Sequence, residues 1–314
     1  MLILKIIKLS PAYKDYLWGG KKLKEMYHKS TETNIIAESW ELSCHKDGLS
    51  TIPALENMTL SEYLRNNPGV LGEGVKELPI LIKLIDANQD LSVQVHPNDA
   101  FARAHEGDNG KNEMWYIVEC EPGASIYYGL KETISREDLK RRLENNTVHE
   151  VLNKVAVEKG DVYFIEAGKI HAIGKGIVIA EIQQNSNATY RLCDYGRKDA
   201  LGNARELHIE QGCAVANLMA EDNIAYPVKT GKTGCRNIVS CEYFCVDYIK
   251  VNGNAVLSTG VNFKSLLCVN GNGCIKTGDE ACSVVKGDCL LLPAGNREYC
   301  VEGQLELLAA YMKR

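Results

Sequence analysis

The sequence predicts a mainly β protein of the sandwich or barrel type, and three observations carry that expectation. From about Leu78 onward, short β-branched or aliphatic runs are separated by Gly, Asn and Asp, as in W-Y-I-V-E-C-E-P-G-A-S-I-Y-Y-G. Helical signals are few and announce themselves by caps rather than by long amphipathic periods. A pattern also occurs twice, as K-G-D-V-Y-F-I-E-A-G-K-I-H at 159–171 and K-G-D-C-L-L-L-P-A-G-N-R-E at 286–298, so two related units are expected. The 314 residues are enough for two such units.

Taken in order, the N-terminal M-L-I-L-K-I-I-K-L-S-P alternates lysine with aliphatic residues and reads as a first strand, not as a secretory leader. Thr59 with Glu62 caps a helix over L-S-E-Y-L-R, and Ser135 with Asp138 caps a second over R-E-D-L-K-R-R-L-E-N-N, expected to run brokenly to about Lys154. A third helix is expected in R-E-L-H-I-E-Q-G-C-A-V-A-N-L. The polar stretch after it, M-A-E-D-N-I-A-Y-P-V-K-T-G-K-T-G-C, has few periodic apolar positions. A domain boundary is therefore expected near residue 220, giving units 1–220 and 221–314. Each copy of the repeat reads as a Gly-Asp turn, a buried strand, and a second Gly turn that aims the next side chain inward. The first copy ends in His171 and the second in Glu298.

Composition excludes several classes. Thirty-six Lys plus Arg against forty-one Asp plus Glu give a net charge of -5, with no basic block to track a phosphate backbone, so no nucleic-acid partner is expected. The longest apolar-rich stretch, Leu78 to Val95, is interrupted by Lys83, Asp86, Asn88, Gln89 and Asp90, which leaves no membrane span. Twelve cysteines are scattered from Cys44 to Cys300 without a C-x-x-C pair. They read as reduced thiols of a cytoplasmic protein, mostly small core residues.

In S-V-Q-V-H-P-N-D at 92–99, the period of two along a strand puts Ser92, Gln94 and His96 on one face and Val93 and Val95 on the other. Alone, a Q-x-H row is most simply a solvated face. Glu113, however, follows a Gly-rich loop and stands just before the apolar strand W-Y-I-V, and His171 stands at the end of the first repeat. Two imidazoles, one carboxylate and one amide oxygen would hold a divalent ion and leave positions open for water or substrate. A second constellation, I-A-E-I-Q-Q-N-S-N-A-T-Y-R-L-C-D-Y-G-R at 179–197, places Glu181 and Gln183 on one strand face and Arg191 and Arg197 around a Gly turn. His28, His45, His105, His149 and His208 have no partner at ligand spacing and read as surface or ordinary core. Cys241, Cys245, Cys268, Cys274, Cys282, Cys289 and Cys300 read as strand filling, and K-R-R at 140–142 as a solvated helix face.

The motifs W-G-G at 18–20, E-S-W-E-L-S at 38–43, L-I-K-L-I-D-A-N-Q-D-L-S-V-Q-V-H-P-N-D at 81–99, K-N-E-M-W at 111–115 and N-S-N-A-T-Y-R at 185–191 follow one another in an order that resembles the class I mannose-6-phosphate isomerases, especially their short bacterial form. The resemblance spans nearly the whole chain. It implies a pair of cupin (jelly-roll-like) β-barrels with added helices. It also implies that Gln94, His96, Glu113 and His171 hold one Zn2+ per chain, and that Arg191 is the active-site arginine. Lys83, Ser92, Lys111 and Glu181 match positions that line the family's pocket, and Arg197 stands where longer members have a phosphate-side lysine. Two departures are visible. Glu166 replaces a frequent proline, and Gln94 stands where the general cupin pattern has a first histidine, as this family has it.

The activity so implied interconverts mannose 6-phosphate and fructose 6-phosphate by proton transfer between C1 and C2 through an enediol(ate), with zinc as Lewis acid. Glu181, Lys111 and a zinc-bound water are the candidate bases, and the residues alone do not rank them. A dianionic sugar phosphate entering an acidic chain needs a local basic wall, for which Lys83, Lys111, Arg191 and Arg197 are available. Two rival readings are a cupin that binds a sugar or regulatory ligand without turnover, and a metal-dependent oxygenase using the same donors for iron. Neither needs the basic wall. The second unit, with Glu298 at the ligand position and no imidazole in F-K-S-L-L-C-V-N-G-N-G-C, is expected to hold no metal.

Overall fold

The computed structural model describes residues 5–198, 201–221 and 233–313. Most of the polar stretch expected to contain the boundary, 222–232, lies outside them. The chain is mainly β and its sheets are antiparallel. A six-stranded sheet runs, edge to edge, through Val162–Ile165, Glu113–Cys120, Ile177–Gln184, Ile80–Ala87, Glu38–Leu42 and Ala12–Lys14. A five-stranded sheet runs through Leu152–Ala156, Ser125–Leu130, His171–Ile173, Val93–Val95 and Tyr190–Cys193. A larger C-terminal sheet contains Gly234–Ser240, Cys245–Ser258, Lys264–Thr277, Glu280–Val285, Cys289–Leu292 and Glu298–Tyr311, and Ile7–Lys8 adds to its edge.

The six-stranded sheet is the middle layer, which its sequence explains. Its central strands Ile80–Ala87 and Ile177–Gln184 are buried at every residue, and the side-chain period of two sends alternate residues to different cores. Ile82, Leu84, Met114, Tyr116, Val178, Ala180 and Ile182 pack with Val246, Tyr248, Leu267, Leu291 and Leu308 of the C-terminal sheet. The alternate residues Ile85, Trp115, Ile117, Ile177 and Ile179 pack with Ile126, Tyr128 and Ile173 of the five-stranded sheet. Farther along the same strands this second face turns polar, at Lys83, Glu113 and Glu181. Polar side chains on a buried face are costly unless paired, and they mark the candidate site.

The duplicated pattern is a duplicated structure. In the first copy, Gly160 N–H donates to the Ile117 carbonyl, Ile117 N–H to the Asp161 carbonyl, and the Asp161 carboxylate accepts from Glu158 N–H. In the second copy, Gly287 N–H donates to Cys268, Cys268 N–H to Asp288, and the Asp288 carboxylate accepts from Val285 N–H. Gly160 and Gly168, like Gly287 and Gly295, have positive φ, between 91° and 117°, where a Cβ is disfavoured. The leading lysines of the two copies, Lys159 and Lys286, even share one carboxylate oxygen, Glu119 Oε1, at 3.1 and 2.9 Å. The copies differ at their ends. His171 is fully buried, whereas Glu298 is exposed at the start of its strand.

Several expectations are adjusted. Among the described residues, hydrogen bonding leaves the sheets open, so none is a closed barrel: the five- and six-stranded sheets meet through side chains. The caps Thr59 and Ser135 start helices Leu60–Asn66 and Arg136–Glu144 as expected. The second helix does not continue to Lys154: a 3-10 turn at Val148–Val151 leads into the strand from Leu152, because Leu152 and the residues after it find pairing partners on Ser125–Leu130. Two short helices, Lys22–Tyr27 and Asp99–His105, add to those expected. The third expected helix forms at Ile209–Val215. All twelve cysteines are free, and among the described residues no helix is long and apolar enough to cross a membrane.

The first strand is real, but Ile7 and Lys8 pair with Leu291 and Leu290 of the C-terminal sheet. The shared core and this crossover give an expected result. A chain ended at residue 221 would bare the Ile82–Met114–Val178 face, a contiguous apolar surface of the kind that aggregates. Size-exclusion chromatography should show the fragment as aggregate. A soluble, fully active fragment would contradict the role assigned to this packing.

Candidate metal centre and cleft

The strand Val93–Val95 lies between Tyr190–Cys193 and His171–Ile173, and Gln94 is in register with both Arg191 and His171. His96 follows that strand, and Glu113 opens its own strand in the facing sheet. The two sheets thus bring His96, Glu113 and His171 together, all essentially unexposed, with ligand atoms within 4.8 Å of one another. His96 Nε2 is 3.4 Å from Glu113 Oε2, and His171 Nε2 is 3.4 Å from Glu113 Oε1. About 3.4 Å is also the edge of a tetrahedron built with metal bonds of about 2.1 Å.

Second-layer contacts set the imidazoles for this role. His96 Nδ1 lies 3.0 Å from the Ala188 carbonyl and His171 Nδ1 lies 2.7 Å from that of Lys169. A carbonyl only accepts, so each Nδ1 carries the proton and each Nε2 lone pair faces the cluster. Burial lowers the pKa of both rings, with the Lys111 charge adding to it at His96, and His171 falls to about 3. They are neutral, as metal ligands must be. Burial works in the opposite direction on Glu113, but the Lys111 ammonium and the His96 contact hold its carboxyl well below the usual range. Glu113 Oε1 is a buried acceptor without a hydrogen-bond donor, which a cation would satisfy. Gln94 Nε2 is 3.3 Å from His171 Nε2, and a half-turn of the terminal amide presents its oxygen there instead. The donor set fits a divalent ion.

A cleft of about 290 Å³ opens beside this cluster, lined by Lys83, Ser92, Gln94, Lys111, Glu181 and Arg191 among others, at the small end for a ligand site. Lys111 Nζ bonds to Glu113 Oε2 and lies 3.0 Å from His96 Nε2 and 3.8 Å from Glu181 Oε1. Lys83 is held 3.5 Å from both Glu38 and Glu181, and its ammonium lies over the Trp40 ring, 4.7 Å from its centroid. Burial alone would lower the Lys83 pKa, but the carboxylates of Glu38, Glu181 and Glu113 raise it. Glu181 accepts from Trp115 Nε1 at 3.0 Å. Burial and the nearby Glu113 charge raise its pKa, against Lys111 and Lys83. Arg191 donates through Nη1 to the Glu206 carbonyl at 2.9 Å, while its buried Nε has no hydrogen-bond partner.

Of the residues given a metal, catalytic or substrate-binding role from sequence, Arg197 is the one whose side chain is neither in the metal cluster nor on the cleft wall. Its Nε and Nη2 bond to Asp194, Nη1 to the Asp90 carbonyl, and its guanidinium packs on Tyr195. Sequence reasoning assigned no role to Tyr16, Trp18, Glu38, Asn187, Thr189 or Arg205, all of which line the cleft. Trp18, Glu38, Asn187 and Thr189 lie inside the quoted motifs, where a signal existed. Arg205 had none.

Two family models match: phosphomannose isomerase type I, catalytic domain, over residues 6–122, and mannose-6-phosphate isomerase, cupin domain, over 235–312. The chain is 36% identical to mannose-6-phosphate isomerase ManA of Bacillus subtilis over 309 residues, covering 96% of this chain and 97% of the relative. It is 34% identical to mannose-6-phosphate isomerase of Streptococcus mutans, covering 94% of each. The crystal structure of the mannose 6-phosphate isomerase from Bacillus subtilis superposes with a TM-score of 0.91 at 32% identity, covering 98% of this chain and 100% of that one. With matches at both ends, similarity across nearly its full length and a buried two-histidine, one-carboxylate cluster, the chain belongs to the type I mannose-6-phosphate isomerases.

Proposed function

We propose that this protein interconverts D-mannose 6-phosphate and D-fructose 6-phosphate by moving a proton between C1 and C2 of the open-chain sugar through an enediol(ate). We propose further that one zinc ion per chain is held by His96, Glu113 and His171, with Gln94 as fourth ligand. The observation that carries the reading is a preset cluster of two neutral imidazoles and one carboxylate beside a cleft walled by Lys83, Lys111, Glu181 and Arg191. Nitrogen and carboxylate donors suit zinc, and isomerisation requires no redox change at the metal. When bound, zinc supplies Lewis acidity toward the sugar's oxygens.

The protein's own groups divide the remaining work. Glu181 is the proton carrier. Its carboxyl is buried, raised in pKa, oriented by Trp115 and beside the ligand cluster, and a base poised nearer neutrality exchanges protons more readily. Lys111 lies between Glu113 and Glu181 and offsets negative charge developing on the sugar's oxygens. Lys83 keeps Glu181 and Glu38 apart in charge, and Ser92 offers a hydroxyl to the substrate. Arg191, with its unpaired Nε, orients the sugar and stabilises the same developing charge. A binding module without turnover has no use for a buried, pKa-raised carboxyl beside the metal donors.

The chain is also read as two cupin-type units, residues 1–220 catalytic and 221–314 without metal. The shared hydrogen-bond pattern of the two Gly-Asp turns supports the duplication, and the exposed Glu298 supports the absence of a second centre.

A coupled assay for fructose 6-phosphate formed from mannose 6-phosphate, with and without chelator, tests the activity. No product from the untreated protein would overturn it. Within that assay, Arg191→Ala is expected to lower kcat and kcat/KM together, by roughly one to two decades, because its contact strengthens in the transition state. A change in KM alone would reassign Arg191 to ground-state binding.

A further inference from the structure

We propose that Arg205 is the cation that grips the substrate's phosphate, held in place by Asp194, and that Arg197 is a positioning residue acting through that same carboxylate. The inference rests on the sugar-phosphate reading and names the residue that determines specificity for the phosphorylated sugar.

Charge bookkeeping along the cleft leads to it. Near the metal cluster two lysines face three carboxylates. Lys83 sits between Glu38 and Glu181, and Lys111 between Glu113 and Glu181. At the edge strand Tyr190–Cys193 the balance changes: Arg197 and Arg205 pair with the single carboxylate of Asp194, and Arg191 on that strand lines the same cleft as Arg205. Asp194 Oδ2 accepts from Arg205 Nε at 2.8 Å, and Oδ1 accepts from Nη2 of both Arg205 and Arg197 at 2.5 Å. Three guanidinium groups against one carboxylate leave about two positive charges in excess, which matches the charge of roughly -1.5 to -2 on a phosphate monoester at neutral pH.

The partners decide which arginine is available. Arg197 has every nitrogen committed, two to Asp194 and one to the Asp90 carbonyl. Arg205 presents its Nε and Nη2 edge to Asp194, leaves Nη1 outside that pair, and lines the cleft. Position agrees with this. Reaction occurs at C1 and C2, beside His171 and Gln94, while the phosphate is carried on C6. Stepping across the five-stranded sheet from His171 to Gln94 to Arg191 advances about 4.8 Å per strand, and Arg205 lies past that edge. Arg205, one step beyond Arg191, therefore lines the part of the cleft that the far end of the sugar reaches.

The test uses full-length protein, with circular dichroism to establish that each variant is folded. Arg205→Ala should raise KM for mannose 6-phosphate roughly ten- to a hundredfold, with a smaller fall in kcat, and lower the preference for mannose 6-phosphate over mannose by a similar factor. Inorganic phosphate, titrated calorimetrically, should bind more weakly to that variant by a comparable factor, and Arg205→Lys should restore part of the loss. Arg197→Ala should cost less, and adding it to Arg205→Ala should cost little more, since both act through one contact. Asp194→Asn should raise KM more than it lowers kcat. Unchanged KM and phosphate affinity in Arg205→Ala, or a larger loss from Arg197→Ala, would overturn the inference. Wild-type protein that binds phosphate through Arg205 but forms no fructose 6-phosphate would instead strike the functional reading alone.

Discussion

His171→Ala is expected to reduce turnover by more than about a thousandfold and to leave the protein with little bound zinc. His171 is fully buried, its Nδ1–H is anchored on the Lys169 carbonyl, and its Nε2 faces Glu113, so no neighbouring group can take its place. Loss of one such electrostatic element costs about a hundred- to a thousandfold on its own, and loss of the ion removes its Lewis acidity as well. Gln94→Ala should cost less, because a neutral amide is a weaker ligand than an imidazole. Elemental analysis beside the coupled assay checks both. A fully active, metal-free protein, or a Gln94→Ala defect larger than that of His171→Ala, would refute the assignment.

Glu181→Gln should lower kcat by about a hundred- to ten-thousandfold, the usual contribution of a general base, with much less effect on KM. The amide keeps the shape and the Trp115 contact but cannot take up a proton. The pH dependence provides a second check with a defined sign. Burial and Glu113 raise the folded-state pKa of Glu181, and the base must be ionised to act. Wild-type activity should therefore fall as pH drops through that raised value, and the limb should vanish in the residual activity of the variant. Solvent deuterium incorporated into the sugar during turnover should fall in step with kcat. An unaltered kcat would move the proton transfer elsewhere, with Lys111 the next group to test.

The metal cluster could be located in the sequence because it uses residue types that are rarely buried without purpose, placed where strand periodicity and the repeat set their direction. Lys83 and Glu181 interrupt strands that are mostly apolar, and Glu113 opens a third, a pattern visible without coordinates. What escaped notice depends on contacts between distant segments. Arg205 becomes recognisable only through Asp194, and the saturation of Arg197 only through the carbonyl of Asp90. Lys22–Tyr27 and Asp99–His105 are too short to show a period, although Asn98, which accepts from Phe101 N–H, was a readable cap for the second. The chain leaves the helical path at Asn145 and Asn146, the latter with positive φ, and the strand partner of Leu152–Ala156 then sets its course. Whether facing sheets join at their edges is likewise decided by hydrogen bonds that residue patterns do not encode.

The pairing of Ile7 and Lys8 with Leu291 and Leu290 bears on how the protein is made. A ribosome releases these two residues long before it makes the strand that receives them. Tyr299 Oη, which donates to the Lys5 carbonyl, and Glu280, which accepts from the amides of Lys5 and Ile6, arrive equally late. Until that strand is made, Ile7 and Lys8 have no partner strand to dock on, and Ile6 and Ile7 remain unburied. Contacts so remote in sequence slow folding and prolong the exposure of sticky intermediates. The edge of the C-terminal sheet therefore closes only once Cys289–Leu292 has been made, and the small apolar surface of Ile6 and Ile7 stays unburied until then.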